Sequence, residues 1–334
     1  MPKLYVDEYT RLYAHKSVLI ACREGILRDH FNSIIADLKF LTRLGIQVTL
    51  FHNMSNRFAN QKHFNLLTSK LPQTRIIRVP SETDFYEYVL DYQEHAFKLI
   101  FLERKYLVDL QGARINALTT KGARQSMTDF AAMIANENFK NILERICHKI
   151  EKGNYERVHI LPAGKNAVKH ELFTVEGSGT LIANNFTEIF ARLSSSDDVK
   201  IVAGILSISK GEGYLKPRTP SYIEQNRRNF YVTKIDDIIV GCVEGIHIDP
   251  QTVELGALAI STKFRNQRVG VFTVNAFMAE MREAGYECFI SLTNNPRLQR
   301  LYHNLGFTRN VPPRYRSRQE ASPGVAMFFQ KVAR

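Results

Sequence analysis

Six residues, Arg265-Asn266-Gln267-Arg268-Val269-Gly270, stand where an alternating apolar strand gives way to an amphipathic helix. A turn of backbone N–H groups at a helix N-terminus is a pyrophosphate site, because the dipole and the unpaired donors face the anion together. Arg265 adds charge, and Gly270 lets the backbone approach a phosphate closely. Arg268 stands at a position where a glycine would serve better, so its side chain must turn away or touch phosphate itself. Around this turn the pieces come in a fixed order. Glu254-Leu255 opens the strand; Tyr286–Thr293 reads as a second strand; Asn294-Asn295-Pro296 then leads to a short helix that stops at Leu305-Gly306-Phe307.

The elements that must hold these residues fill the second half of the chain. Asn184–Phe186 and the Ser194–Asp198 cluster have the composition of loops and helix caps. Thr187–Leu193 is expected to be helical, and Tyr222–Asn226 a short helix. Phe230–Ile235, a hairpin turn at Asp236-Asp237 and Ile238–Gly245 then form a meander before Glu254. The first half reads differently. Ser17–Cys22 is an apolar strand; His30–Arg43 places Ile34, Ile35, Leu38 and Leu41 near helical spacing; Gly45 ends that helix; Ile46–Phe51 is the next strand. Strand, helix and strand at this length imply a parallel pair. Lys98–Leu102 and Val158–Leu161 read as further strands and Thr128–Ile150 as a helix, giving a doubly wound sheet.

At 334 residues the chain can bury two cores, and its 44% hydrophobic content is that of a globular protein. No stretch approaches the roughly 18 apolar residues of a membrane helix. Asp7 and Glu8 near the start, with no apolar run, give no sign of a targeting segment. Cys22, Cys147, Cys242 and Cys288 lack metal-ligand spacing and read as reduced thiols, so a cytoplasmic protein without a metal is expected. The net charge of +12 is spread over both halves, but Arg297–Arg318 holds six arginines and no acid. Such a patch could bind a polyanion, hold the phosphates of coenzyme A, or be a solvated loop. No aromatic-interleaved basic motif favours nucleic acid.

The arrangement from Glu254 to Phe307 resembles the acetyl-CoA-binding core of the GNAT superfamily of N-acyltransferases, whose turn reads Arg/Gln-x-x-Gly-x-Gly/Ala. Upstream, Arg11–Lys16 with Val18-Leu19-Ile20 is similar to the opening of the amino-acid-kinase-like domain of bacterial N-acetylglutamate synthases. Lys98–Leu102, Arg157–Leu161 and Glu171-Leu172-Phe173-Thr174-Val175-Glu176-Gly177-Ser178-Gly179-Thr180 resemble later parts of that domain. The expected architecture is therefore α/β throughout: a shortened, doubly wound amino-acid-kinase-like domain over 1–183 and a C-terminal GNAT α/β acyltransferase domain over 187–334. Active kinases carry Lys-x-Gly-Gly after the first strand; here Ala21-Cys22-Arg23-Glu24-Gly25 stands there, and no kinase activity is expected.

The resemblance implies transfer of acetyl from acetyl-CoA to the amine of glutamate, at the head of arginine synthesis. Alternatives are another amine acceptor, or a non-catalytic relative that binds arginine or the coenzyme. Glu254 would take the ammonium proton and Tyr302 would face the departing thiolate. Their plainer readings are a strand-end salt bridge and an aromatic packed on Phe307. Backbone at Leu258 and Ile260 would flank the pantetheine arm. Arg265, Asn266, Gln267, Arg268, Val269 and Gly270 would hold pyrophosphate, and Asn294 or Asn295 would also touch the coenzyme. Lys216, Arg218, Lys234 and Arg314 are candidates to clamp an amino-acid carboxylate. Glu171, with Gly177 and Gly179, is the candidate arginine effector site; the alternative is a glycine turn leading into the next domain. Assembly of copies through the first domain is a further expectation from the resemblance.

Overall fold

The computed structural model describes residues 3–55, 58–92, 94–128, 137–213, 218–265 and 267–332. The chain divides into two compact units, Met1–Phe186 and Thr187–Arg334.

The first unit is built on seven strands: β1 (Ser17–Cys22), β2 (Gln47–His52), β3 (Thr74–Arg78), β4 (Ala96–Glu103), β5 (Ala117–Thr119), β6 (Tyr155–Pro162) and β7 (Thr180–Ala183). They lie in the order β3-β2-β1-β4-β6-β7-β5, parallel except for the antiparallel contact of β7 with β6. Central strands β1 and β4 are almost continuously buried, which is what helices on both faces of a parallel sheet require. The helix Phe31–Arg43 buries Ile34, Ile35, Leu38 and Leu41, the expected stripe, and Gly45 follows it at φ +76°. Part of the expected helix Thr128–Ile150 lies outside the described residues; Glu137–Glu151 is helical.

One buried carboxylate ties two helices together. Asp37, 1% exposed, accepts the N–H of Val168 at 2.9 Å and lies 3.7 Å from the Lys169 ammonium. It thereby joins the helix Phe31–Arg43 to the helix Ala167–Phe173.

The second unit is a six-stranded sheet made of β8 (Glu188–Arg192), β9 (Phe230–Ile235), β10 (Ile238–Asp249), β11 (Thr252–Ile260), β12 (Cys288–Thr293) and β13 (Ala326–Lys331). They are ordered in sequence from one edge to the other. All neighbours are antiparallel except β11 and β12, whose connection carries the helix Val269–Glu283. The expected helix at Thr187–Leu193 is a strand instead. Glu188–Arg192 finds its hydrogen bonds along β9, and Phe190 stacks on Tyr231 with ring centroids 5.5 Å apart. Five residues carry too little periodicity to reveal an edge strand whose partner comes much later. The cap cluster is as expected: Ser195 accepts the Asp198 N–H at 3.0 Å and starts the helix Ser196–Gly211. Asp236 and Asp237, at φ +53° and +62°, make the tight hairpin turn.

Two irregularities break the centre of this sheet. Cys242 pairs with Ala259, and Glu244 pairs with Gly256, so two steps on β10 face three on β11. The extra residue is a β-bulge, with Ala257 held at φ +48°. On its other side β11 pairs with β12 only through Thr252, Val253 and Glu254, and then diverges from it. Ser291 marks the fork by donating its hydroxyl to the Leu255 carbonyl at 2.9 Å.

Burial lifts the Asp37 carboxyl to about 6, against the bonds from Val168 and Lys169 that favour its anion. The folded state therefore holds the proton more tightly than the unfolded chain. Ionising Asp37 loses stability as pH rises from about 4 through 6, a penalty on the order of 2–3 kcal/mol that is complete above that window. Asp37→Asn keeps an acceptor for Val168 and removes the ionisation. In thermal melts the variant should gain on the native protein as pH rises across this range; a constant difference between them would contradict the assignment.

Candidate active site

The expected anion turn has the expected backbone. Arg268 takes the left-handed conformation, φ 59° and ψ 7°, and no side chain caps the helix Val269–Glu283 that begins beside it. The arginine that replaced a glycine thus adopts glycine's geometry, at roughly 1 kcal/mol of strain. The first-turn N–H groups of this fifteen-residue helix have no capping side chain among the described residues. Gly270 lies in that turn, and a Cβ there would stand 3.5 Å from Leu301.

These groups open into a cavity of about 380 Å³. Leu258, Ile260, Arg265, Arg268, Gly270 and Asn295 line it, so six of the nine expected coenzyme residues come together there. Val269 is fully buried behind the turn. Gln267 is not among the lining residues, and its N–H is spent on the Phe264 carbonyl at 3.1 Å. Asn266 lies outside the described residues. The side chain of Asn295 is engaged as the cap of the helix Pro296–Asn304, accepting the Arg297 N–H at 2.9 Å.

Arg265 lines the cavity and is at the same time paired with an acid. Its guanidinium grips both oxygens of Glu212, at 2.5 and 3.1 Å, and so pins the turn to the end of the helix Ser196–Gly211. The cations that remain for an anion are Arg268, Arg297 and Arg300, which line the cavity and have no acidic partner among the described residues. The last two belong to the acid-free arginine run; three residues apart on one helix, they share a face.

At the fork of β11 and β12 stand the two candidate catalytic side chains. Tyr302 is completely buried, its ring tilted against Phe307 and Phe328 at 5.2 and 5.7 Å. The plainer reading of its ring is therefore real. Its hydroxyl lies near the Ser291 side chain without a close hydrogen bond to it. Burial pushes the phenol well above its ordinary range, so it stays protonated. Glu254, 7% exposed, accepts from Arg318 Nε at 2.8 Å.

Sequence reading missed a second carboxylate. Glu244, 1% exposed on β10, accepts the Tyr222 hydroxyl at 2.5 Å and Arg218 Nε at 2.8 Å. Because Ile246 faces Glu254 across the ladder, Glu244 projects from the same side of the sheet as Glu254. Charge from both glutamates raises the Arg318 pKa, the bond from Glu254 being the larger cause. The signal for Glu244 was available: it is the one charged residue in Ile238-Ile239-Val240-Gly241-Cys242-Val243-Glu244-Gly245-Ile246. Of the expected carboxylate clamps, Arg218 is at this cluster and Lys216 lies outside the described residues. Lys234 pairs instead with Asp198 at 3.5 Å, and Arg314 rests on the Tyr315 ring at 4.7 Å with Cys288 Sγ 3.5 Å away.

At the expected effector residue, Glu171, the carboxylate already has partners. Glu171 is buried, with His159 Nδ1 at 2.7 Å from one oxygen and the N–H groups of Ser178 and Gly179 donating to the other at 2.6 and 3.0 Å. Its carboxylate is consumed in shaping the turn, which is the glycine-turn alternative. Gly179 is indispensable there, since a Cβ would fall 2.3 Å from the Ile160 carbonyl oxygen. Gly177 supplies φ +63°.

Residues 200–307, which contain the bulge, the fork and the anion turn, match the Acetyltransferase (GNAT) family. More narrowly, the chain is similar to proteins named amino-acid acetyltransferase. One from Pseudomonas syringae pv. syringae is 24% identical over 242 residues, 71% of this chain and 54% of the relative. Another from Ralstonia nicotianae is 32% identical over 95 residues, 28% of this chain and 21% of the relative. The chain thus spans about half the length of the curated relatives it matches. Among solved structures, N-acetylglutamate synthase from Neisseria gonorrhoeae complexed with coenzyme A and L-arginine shares the fold over 99% of each chain, with a TM-score of 0.51 and 16% identity.

Arg265→Ala would leave Glu212 as an unpaired carboxylate facing an anion cavity. Affinity for coenzyme A, the anion expected from the sequence, should fall about tenfold, and adding Glu212→Ala should restore most of it. Equilibrium binding measures both; a double variant as weak as Arg265→Ala would assign Arg265 a direct hold on phosphate.

Proposed function

We propose that this protein is an amino-acid N-acetyltransferase that moves the acetyl group of acetyl-CoA to the amine of glutamate. One observation carries the reading. An anion-binding helix start and a pair of arginine-held carboxylates meet at the same fork in a β-sheet. A phosphate-bearing acyl donor fits the first, and an amino acid with two carboxylates fits the second.

Acetyl-CoA supplies an activated acyl carbon and a thiolate leaving group. Arg268, Arg297, Arg300 and the helix N–H groups would hold its phosphates, and the edge of β11 at Leu258 and Ile260 its arm. The bulge leaves Ala257 and Leu258 outside the ladder with β10, which frees backbone there to polarise a thioester carbonyl. Arg218 and Arg318 are the carboxylate receptors for glutamate. The acceptor ammonium must lose two protons in all. Glu254 takes the first, freeing the lone pair that attacks the carbonyl carbon; the second leaves the nitrogen as the C–N bond forms and the C–S bond breaks. Tyr302, kept protonated by burial, donates to the departing sulfur and is itself reprotonated at the nitrogen's expense.

The first unit, lacking the phosphate-handling turn of active kinases, is assigned a regulatory or structural role. Its likeness to a synthase crystallised with L-arginine supports arginine as the effector to test, received by residues other than the filled Glu171.

Glutamate-dependent thiol release from acetyl-CoA, with and without arginine, tests the assignment; a protein that releases thiol only with another amine, or with none, would overturn it. Glu254→Gln and Tyr302→Phe should each lower kcat about a hundredfold while leaving coenzyme A affinity within about twofold. Unchanged turnover in both would remove them from the chemistry.

A further inference from the structure

The acceptor site has a peculiarity that simple binding does not explain. Its two arginines are both already occupied. Arg218 donates to Glu244 and Arg318 donates to Glu254, each at 2.8 Å. Each guanidinium gives its Nε–H to a glutamate and the four charges cancel, so a substrate carboxylate must compete with one already in place. At the same time Glu254, the base of the proposed reaction, is tied up by a cation.

We propose that Glu244 and Glu254 are internal stand-ins for the two carboxylates of the acceptor, and that a dicarboxylate opens the site by exchange. One acceptor carboxylate takes Arg318 from Glu254, the other takes Arg218 from Glu244, and the released Glu254 faces the amine. The inference rests on the acetyltransferase reading and adds a condition to it: the carboxylate that takes Arg318 liberates the base, and the second holds the acceptor in place by taking Arg218.

The geometry favours exchange over a permanent lock. The Arg318 side chain is 43% exposed, so its pair is in contact with water and opens at little cost. The Arg218–Glu244 pair is buried, at 17% and 1%. Opening it without a replacement would strand a buried charge, whereas a carboxylate entering in the same place leaves the guanidinium satisfied. Glu244 gives up its counter-charge in the exchange and keeps the Tyr222 hydroxyl as a donor. The two pairs are not independent either, since Arg318 responds to the charge of Glu244 as well as Glu254. A monocarboxylate can free only one of the two.

Glutarate, which has both carboxylates and no amine, and pentanoate, which has one, separate this from ordinary ion-pair scaffolding. Both are titrated by calorimetry into the full-length protein saturated with coenzyme A. The native protein should bind glutarate at least about thirtyfold more tightly than pentanoate; similar affinities would overturn the exchange. Glu244→Gln keeps an acceptor for Tyr222 and Arg218 but gives up the competing charge, so glutarate should bind it about three- to tenfold more tightly than the native protein. A scaffold role predicts the opposite, and binding that is unchanged or weaker in a variant with native melting would refute the stand-in. Coenzyme A binding in the same calorimeter reports on the reading beneath: its absence removes the acetyltransferase assignment and the exchange with it. Its presence alongside the wrong glutarate result removes the exchange alone.

Discussion

Much of the second unit depends on a sheet that is prevented from closing. β11 is knit to β12 over three residue pairs and to β10 across a bulge, and between these two faults its backbone is free of a complete ladder. An unbroken sheet would have spent those N–H and C=O groups on its neighbours. The faults deliver backbone polarity into the interior at a point where helix, turn and carboxylates converge. A one-residue slip of β11 against β10 would turn Glu254 to the other face and separate it from Glu244.

Charge is arranged in two distinct ways around that fork. Around the cavity, Arg268, Arg297 and Arg300 stand without acidic partners among the described residues, while Glu212 is neutralised by Arg265. At the carboxylate cluster Arg218 and Arg318 are each paired with a glutamate. A large polyanion can be attracted by the first arrangement from a distance, within the reach that salt screening allows. The second arrangement discriminates at contact, because nothing is gained until a ligand replaces a bond already made.

The architecture was largely legible because its long elements are strongly patterned. Phe230–Ile235 was read at its true limits, and the stripe on Phe31–Arg43 announced its buried face. The anion turn was legible from the order of strand, arginine and glycine. What escaped were relations between distant residues. Glu188–Arg192 needed β9 to become a strand. The pairing of Arg265 with Glu212 joins residues 53 apart in the chain, and that of Glu171 with His159 and two backbone N–H groups joins a helix to a strand and a turn. Arg318 could be seen only as one charge in a run of arginines, because nothing local joins it to Glu254. Tertiary pairing decides what a charged side chain is available to do, and composition is silent on that.

The connection between β11 and β12 has a kinetic meaning too. Their pairing is the sheet's one parallel contact, and the helix Val269–Glu283 lies between them in the chain. The hairpins β9–β10 and β10–β11 close over short loops, but this pair must wait for a whole crossover to be laid down. The turn at Arg265–Gly270 and the fork at Glu254 are thus completed by the same late event. A chain stalled before it would already own the antiparallel meander of β9 to β11, yet it would have no fork and no cavity. Assembly of this domain and creation of its binding site are one step.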